Sequence, residues 1–134
     1  MRLLSEHDIP WLHDICRRRY APGFSHETAE GWFVNIVLKS PMIFHAARTD
    51  DAFIITLLSC VPWYPADFEA NVIFLCAEEG KTWEVIKLLR SSVQWARDRN
   101  CCMWKISGDT VYDMAPLAKR VGAMELAPRY LLRL

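Results

Sequence analysis

The sequence predicts an α/β domain: a mixed sheet of about six strands with helices on both faces, in the order β-α-α-β-β-β-α-β-α-β. Three observations carry this. Ala52 to Val61 and Ala70 to Ala77 are nearly continuous apolar runs, and the second does not alternate, as expected of a central strand covered on both faces. From Trp83 to about Asn100, Val85, Ile86, Leu88, Leu89, Val93, Trp95 and Ala96 form a wide apolar stripe at helical spacing. Two further helical patterns precede the strands.

Met1 to Leu4 is a short apolar start, and Asp8 is a plausible N-cap for a helix through Ile9, Leu12, Ile15 and Cys16 to about Tyr20. Ala-Pro-Gly-Phe at 21–24 ends it. Ser25 can cap a second helix, in which Ala29, Trp32 or Phe33, Ile36 and Val37 recur until Ser40-Pro41 stops it. Met42 to Arg48 is strand-compatible, and Thr49-Asp50-Asp51 turns it into Ala52 to Val61, so the pair reads as a hairpin. Pro62 to Phe68, with two prolines and large aromatics, reads as a loop before the strand Ala70 to Ala77. After the long helix, Cys102 to Ser107 is a fifth strand. Asp113 can cap a short helix with Pro116 in its first turn and Gly122 at its end, and Ala127 to Leu134 is a closing strand.

At 134 residues the chain is expected to be one domain, 1–134. Lysine plus arginine and aspartate plus glutamate number 16 each, so no nucleic-acid partner follows from net charge. Neither a signal-peptide apolar core nor a membrane-spanning run stands in the sequence, and a cytoplasmic protein is expected. The five cysteines show no Cys-x-x-Cys pair and read as small apolar residues. His7, His13, His26 and His45 have no metal-ligand spacing, so no metal is expected, and His45 reads as structural. Arg17-Arg18-Arg19 is the one basic run; it could grip a phosphate or an acidic partner, and its place at a helix C-terminus fits dipole complementarity.

The segment 72–100 is a strand, a polar turn (Glu78, Glu79, Gly80, Lys81, Thr82) and a helix, a shape that can cradle a phosphate on unpaired backbone N–H groups. Only Gly80 offers the bare backbone such a cradle uses, Trp83 is bulky, and Glu78, Glu79 and Glu84 lie where an anion would approach.

The element order over essentially the whole chain resembles the GNAT superfamily of acyl-CoA-dependent N-acyltransferases. The stretch from Met103 to Leu126, followed by Tyr130-Leu-Leu-Arg-Leu, carries the most specific part, with Gly122-Ala123 matching the family's step into its last strands. The resemblance implies acetyl-CoA or CoA as cofactor and a small amine or protein acceptor. It implies cofactor contacts from the Leu75 and Ala77 backbones and from Gly80, Lys81, Thr82 and Trp83. The family's pyrophosphate motif, Gln/Arg-x-x-Gly-x-Gly/Ala, is departed from: registered on Leu88-Leu89, it puts Trp83 and Val85 at the glycines and Gly80 at the arginine. Ala118 stands where a general-acid tyrosine often does. A base near the start of the fourth strand would be Glu69 or Asp67, and Asp109 or Tyr112 would protonate the departing thiolate. The chain also weakly resembles GNAT-like proteins of tailed phages. That alternative is a non-catalytic binding or assembly protein, virion-associated, with Trp83 filling the groove and a partner met through the aromatics Trp63, Tyr64 and Phe68.

Overall fold

The computed structural model describes residues 1–20, 22–61, 64–106 and 114–123. Strand β1 (Arg2–Leu3) pairs antiparallel with β2 (Phe44–Arg48), β2 with β3 (Ala52–Val61), and β3 with β4 (Tyr64–Ala77). Strand β5 (Met103–Ile106) runs parallel to β4. The described sheet is therefore a mixed one of five strands in the order β1-β2-β3-β4-β5. The closing strand expected over 127–134 lies outside the described residues.

The expected hairpin forms through a tight turn in which Thr49 N–H donates to Ala52 O at 2.9 Å. Alternation along β3 then sorts its side chains between two cores. Phe53 and Ile55 pack with Ile15 and Cys16 of α1 (Ile9–Arg19) and with Phe33, just past α2 (His26–Trp32). Ile54 faces the opposite side, against Val85, Leu88 and Leu89 of α3 (Thr82–Asp98). Helix α4 (Met114–Arg120) adds Leu117 to the α3 side, so helices cover both faces. No helix among the described residues is long and apolar enough to cross a membrane.

Three expectations need correction. Asp8 precedes α1 but does not cap it with its side chain. Only 3% exposed, its carboxylate accepts from Arg2 Nη1 at 2.8 Å, Arg48 Nη1 at 2.9 Å and Ser5 N–H at 2.9 Å. A buried carboxylate gains more from charged donors than from a helix end, so it locks β1 and β2 to α1 instead. The second helix does not continue regularly to Ser40: beyond Trp32 it widens into a π-turn over Phe33–Val37. The wider turn shifts the phase, burying Phe33 and Val37 and leaving Ile36 exposed. The segment Pro62 to Phe68 is largely strand, because the β3–β4 ladder extends to Val61↔Tyr64. Pro65 falls where the register slips between Cys60↔Phe68 and Val61↔Tyr64, a place where a missing N–H costs little.

Candidate functional site

Strand β4 is where the chain departs from a regular sheet. Ile55 pairs with Phe74, yet the next residue of β3, Thr56, pairs with Val72, which leaves Ile73 as an extra, unpaired residue. This is a β-bulge, and its effect on the side chains is visible. Leu75 and Ala77 face α3, Phe74 and Cys76 face α1, and Val72 faces α3 again instead of following the alternation. Ile73 is left 41% exposed in the middle of an apolar run.

Among the described residues, the parallel pairs of β4 with β5 reach as far as the residue before the bulge. They run from Glu69↔Met103 to Val72↔Ile106, while β4 continues to Ala77. Backbone direction over that continuation follows from two bonds, Glu78 N–H to Asp51 O at 2.8 Å and Thr49 N–H to Ala52 O at 2.9 Å. These fix which residues of the antiparallel ladder face each other, so Cys76 and Phe74 direct their amides at β3. The amides of Leu75 and Ala77 consequently point away from β3; that of Leu75 has no acceptor among the described residues.

At the end of β4 the chain turns into α3. Gly80 has φ +78°, and a Cβ added there would meet nothing within 4 Å, so the backbone lies open. Lys81 precedes the helix without capping it by side chain, and Glu84 and Val85 N–H both donate to its carbonyl. The amides of Thr82 and Trp83 have no acceptor among the described residues. They present the positive end of a 17-residue helix to solvent. Of the nearby carboxylates, Glu78 is ion-paired with Arg18 of α1, 60 residues away in sequence. Lys81 Nζ lies 3.2 Å from Asp51. The basic run at 17–19 thus does more than complement a dipole, since Arg18 neutralises a carboxylate of this loop.

Trp83 does not plug an interior groove. Its indole is 54% exposed and lies on the outer face of α3, with the Arg90 guanidinium 5.6 Å from the ring centroid. Glu69 sits within the closed, β5-paired part of β4, where its carboxylate accepts from Lys105 Nζ at 2.9 Å and Asn71 Nδ2 at 3.3 Å. The Lys105 hydrogen bond, above all, holds it below the usual carboxylate range. Ile73 lies four residues further along β4, about 13 Å away. Asp67 is exposed nearby. Asp109, Tyr112 and Trp63 lie outside the described residues, and so does the Tyr64 side chain, while Phe68 is surface-exposed on β4.

The sequence does not single out Ile73, and it names Arg18 only as part of a basic run that could meet a phosphate or an acidic partner. Val72 to Ala77 is apolar throughout, so a slip in the ladder leaves no break in the pattern; Arg18 carries no local signal of a partner so distant. His45 is held between sheet and helix, 3.1 Å from Ser91 Oγ and stacked on Trp95 at 5.6 Å between centroids.

No protein-family model matches this sequence, and neither does any curated protein. Solved structures do match in shape. AAC(6′)-Iy, in complex with the bisubstrate analogue CoA-S-monomethyl-acetylneamine, superposes with a TM-score of 0.75 at 10% identity, over 99% of this chain and 95% of that one. The aminoglycoside 6′-N-acetyltransferase AAC(6′)-IG of Acinetobacter haemolyticus gives 0.72 at 11% identity, over 98% and 94%. A GNAT family acetyltransferase of Staphylococcus aureus gives 0.69 at 12% identity, over 99% and 96%. At such identities the likeness is one of fold, and the fold of this chain is that of GNAT acetyltransferases.

Proposed function

We propose that this chain is a GNAT-type N-acyltransferase that transfers an acyl group from acyl-CoA to an amine. The observation that carries the proposal is the Ile73 bulge on β4, placed directly after the last described pair with β5. Beyond the bulge the Leu75 amide is turned away from β3, the kind of donor an acyl carbonyl needs. The α3 N-terminus supports the same reading. Gly80 gives open backbone, the Thr82 and Trp83 amides are unspent donors, and Lys81 adds a cation, a set that fits a pyrophosphate despite its single glycine. Arg18 offsets one of the carboxylates that would oppose it.

In this reading the Leu75 backbone receives the acyl-bearing arm. The amine's lone pair attacks the acyl carbon, a C–N bond forms and the C–S bond breaks, and the sulfur leaves with the electron pair. Glu69, kept ionised by Lys105, accepts the amine's proton through intervening water. Tyr112 or Asp109 protonates the thiolate. The exposed Phe68 on β4 favours, as a second reading, a GNAT-fold binding or assembly protein, such as a phage component, docking through that part of the strand.

The deciding experiment is amine-dependent release of CoA thiol from acetyl-CoA, followed with a thiol reagent across a panel of amines. The first reading expects release that requires both protein and amine. Absence of release throughout the panel, with the folded protein present, would favour the second.

A further inference from the structure

A cleft lies on the sheet face opposite α3, between α1, α2 and the sheet. Phe53, Ile55 and Phe74 line it from the sheet, and Leu12, Phe24 and Trp32 from the helical side. Its polar lining among the described residues is His13, His26 and Glu30, with no lysine or arginine. These groups form a connected edge. His13 Nε2 is 3.1 Å from Glu30 Oε2, the His13 and His26 rings are 5.7 Å apart, and His26 meets Phe24 edge-on at 5.0 Å. Phe24 in turn contacts Phe74 at 6.1 Å, and Phe74 is the residue after the bulge.

We infer that this cleft binds a small organic amine carrying one positive charge on an aromatic or branched aliphatic body. The aromatic walls favour a ring or branched chain by burial, and their faces attract a cation. Glu30, partly exposed at the edge, supplies the one formal negative charge, as a charge-assisted acceptor for one ammonium. A polycation, whether a polyamine or an aminoglycoside, would leave its further ammonium groups against apolar walls with no counter-charge. Because Phe74 adjoins the bulge, a molecule seated here lies against the strand assigned to the acyl group. Its role as acyl acceptor rests on the acyltransferase reading, whereas its binding does not.

The test is calorimetric titration of the full chain, without acetyl-CoA, with 2-phenylethylamine, 2-phenylethanol, spermidine and kanamycin, repeated on Glu30→Gln. The expected result is that 2-phenylethylamine binds at least about tenfold more tightly than spermidine or kanamycin. Glu30→Gln should weaken it about tenfold and leave 2-phenylethanol unaffected, the scale of one charge-assisted hydrogen bond. Failure of 2-phenylethylamine to bind, equal binding to Glu30→Gln, or preference for the polycations would overturn the inference. A parallel titration of the wild-type chain with acetyl-CoA separates the two claims. Amine binding as expected without acetyl-CoA binding would refute the acyltransferase reading and uphold the amine site; acetyl-CoA binding with a preference for polycations would refute only the amine site.

Discussion

Trp104 on β5 donates its indole N–H to Ser92 Oγ, halfway along α3, at 2.9 Å. The same hydroxyl lies 2.6 Å from Thr56 Oγ1 on β3, and both hydroxyls are fully buried. One side chain therefore ties two strands to the helix level with the described β4–β5 pairs, holding β5 in place beside the bulge. Ser92→Ala should lower unfolding free energy by about 1–3 kcal/mol, because it strands buried polar partners. Denaturant unfolding measures this. In the Thr56→Val background the loss should shrink, since one stranded group is gone.

Gly80 is needed for backbone conformation and not for space. Its φ of +78° is unfavourable for any residue with a Cβ, yet nothing stands in the Cβ position. Gly80→Ala should cost about 1–2 kcal/mol, and Gly80→Asn less, because asparagine tolerates the left-handed region. Thermal unfolding of the two variants gives the order. An alanine variant as stable as wild type would show that the loop relaxes, and the cradle geometry would lose its support.

Arg18 and Glu78 form a test of loop electrostatics. Arg18→Gln should weaken acetyl-CoA binding by leaving the Glu78 carboxylate uncompensated near the Thr82 and Trp83 amides. Adding Glu78→Gln in the same chain should restore it. Calorimetry at low and high salt checks both, and the difference should shrink as salt screens the charge.

His45 makes stability pH-dependent. Burial, with a smaller contribution from Arg99, lowers its folded pKa below the ordinary 6.5. The neutral ring is thus favoured in the fold, and its stabilising share is fully present above the unfolded pKa. As pH drops below about 6.5 the unfolded chain takes up a proton that the folded chain resists, and stability declines towards the folded pKa. His45→Gln should flatten this slope between about pH 6.5 and 5 in denaturant melts, where carboxylates contribute little.

Elements whose identity rests on local pattern were legible in the sequence. The hairpin at 44–61 and the stripe of α3 were set by apolar runs and period, and Gly122, at φ +81°, ends α4 as its position suggested. What escaped was decided by pairing between distant segments. Prolines at 62 and 65 signalled a loop, but a ladder with an irregular edge absorbs Pro65. Asp8 looked like a helix cap until Arg2 and Arg48 met it from two strands. At the site, the turn and helix start around Gly80 could be located from the sequence, whereas the bulge at Ile73 could not.

The most direct measurement is the thermal stability of the wild-type chain titrated with acetyl-CoA. If the α3 N-terminus and the Leu75 amide hold the cofactor, stability should rise saturably, by roughly 2.7 kcal/mol at 100 times the dissociation constant. An unchanged melting curve at millimolar acetyl-CoA would contradict the account.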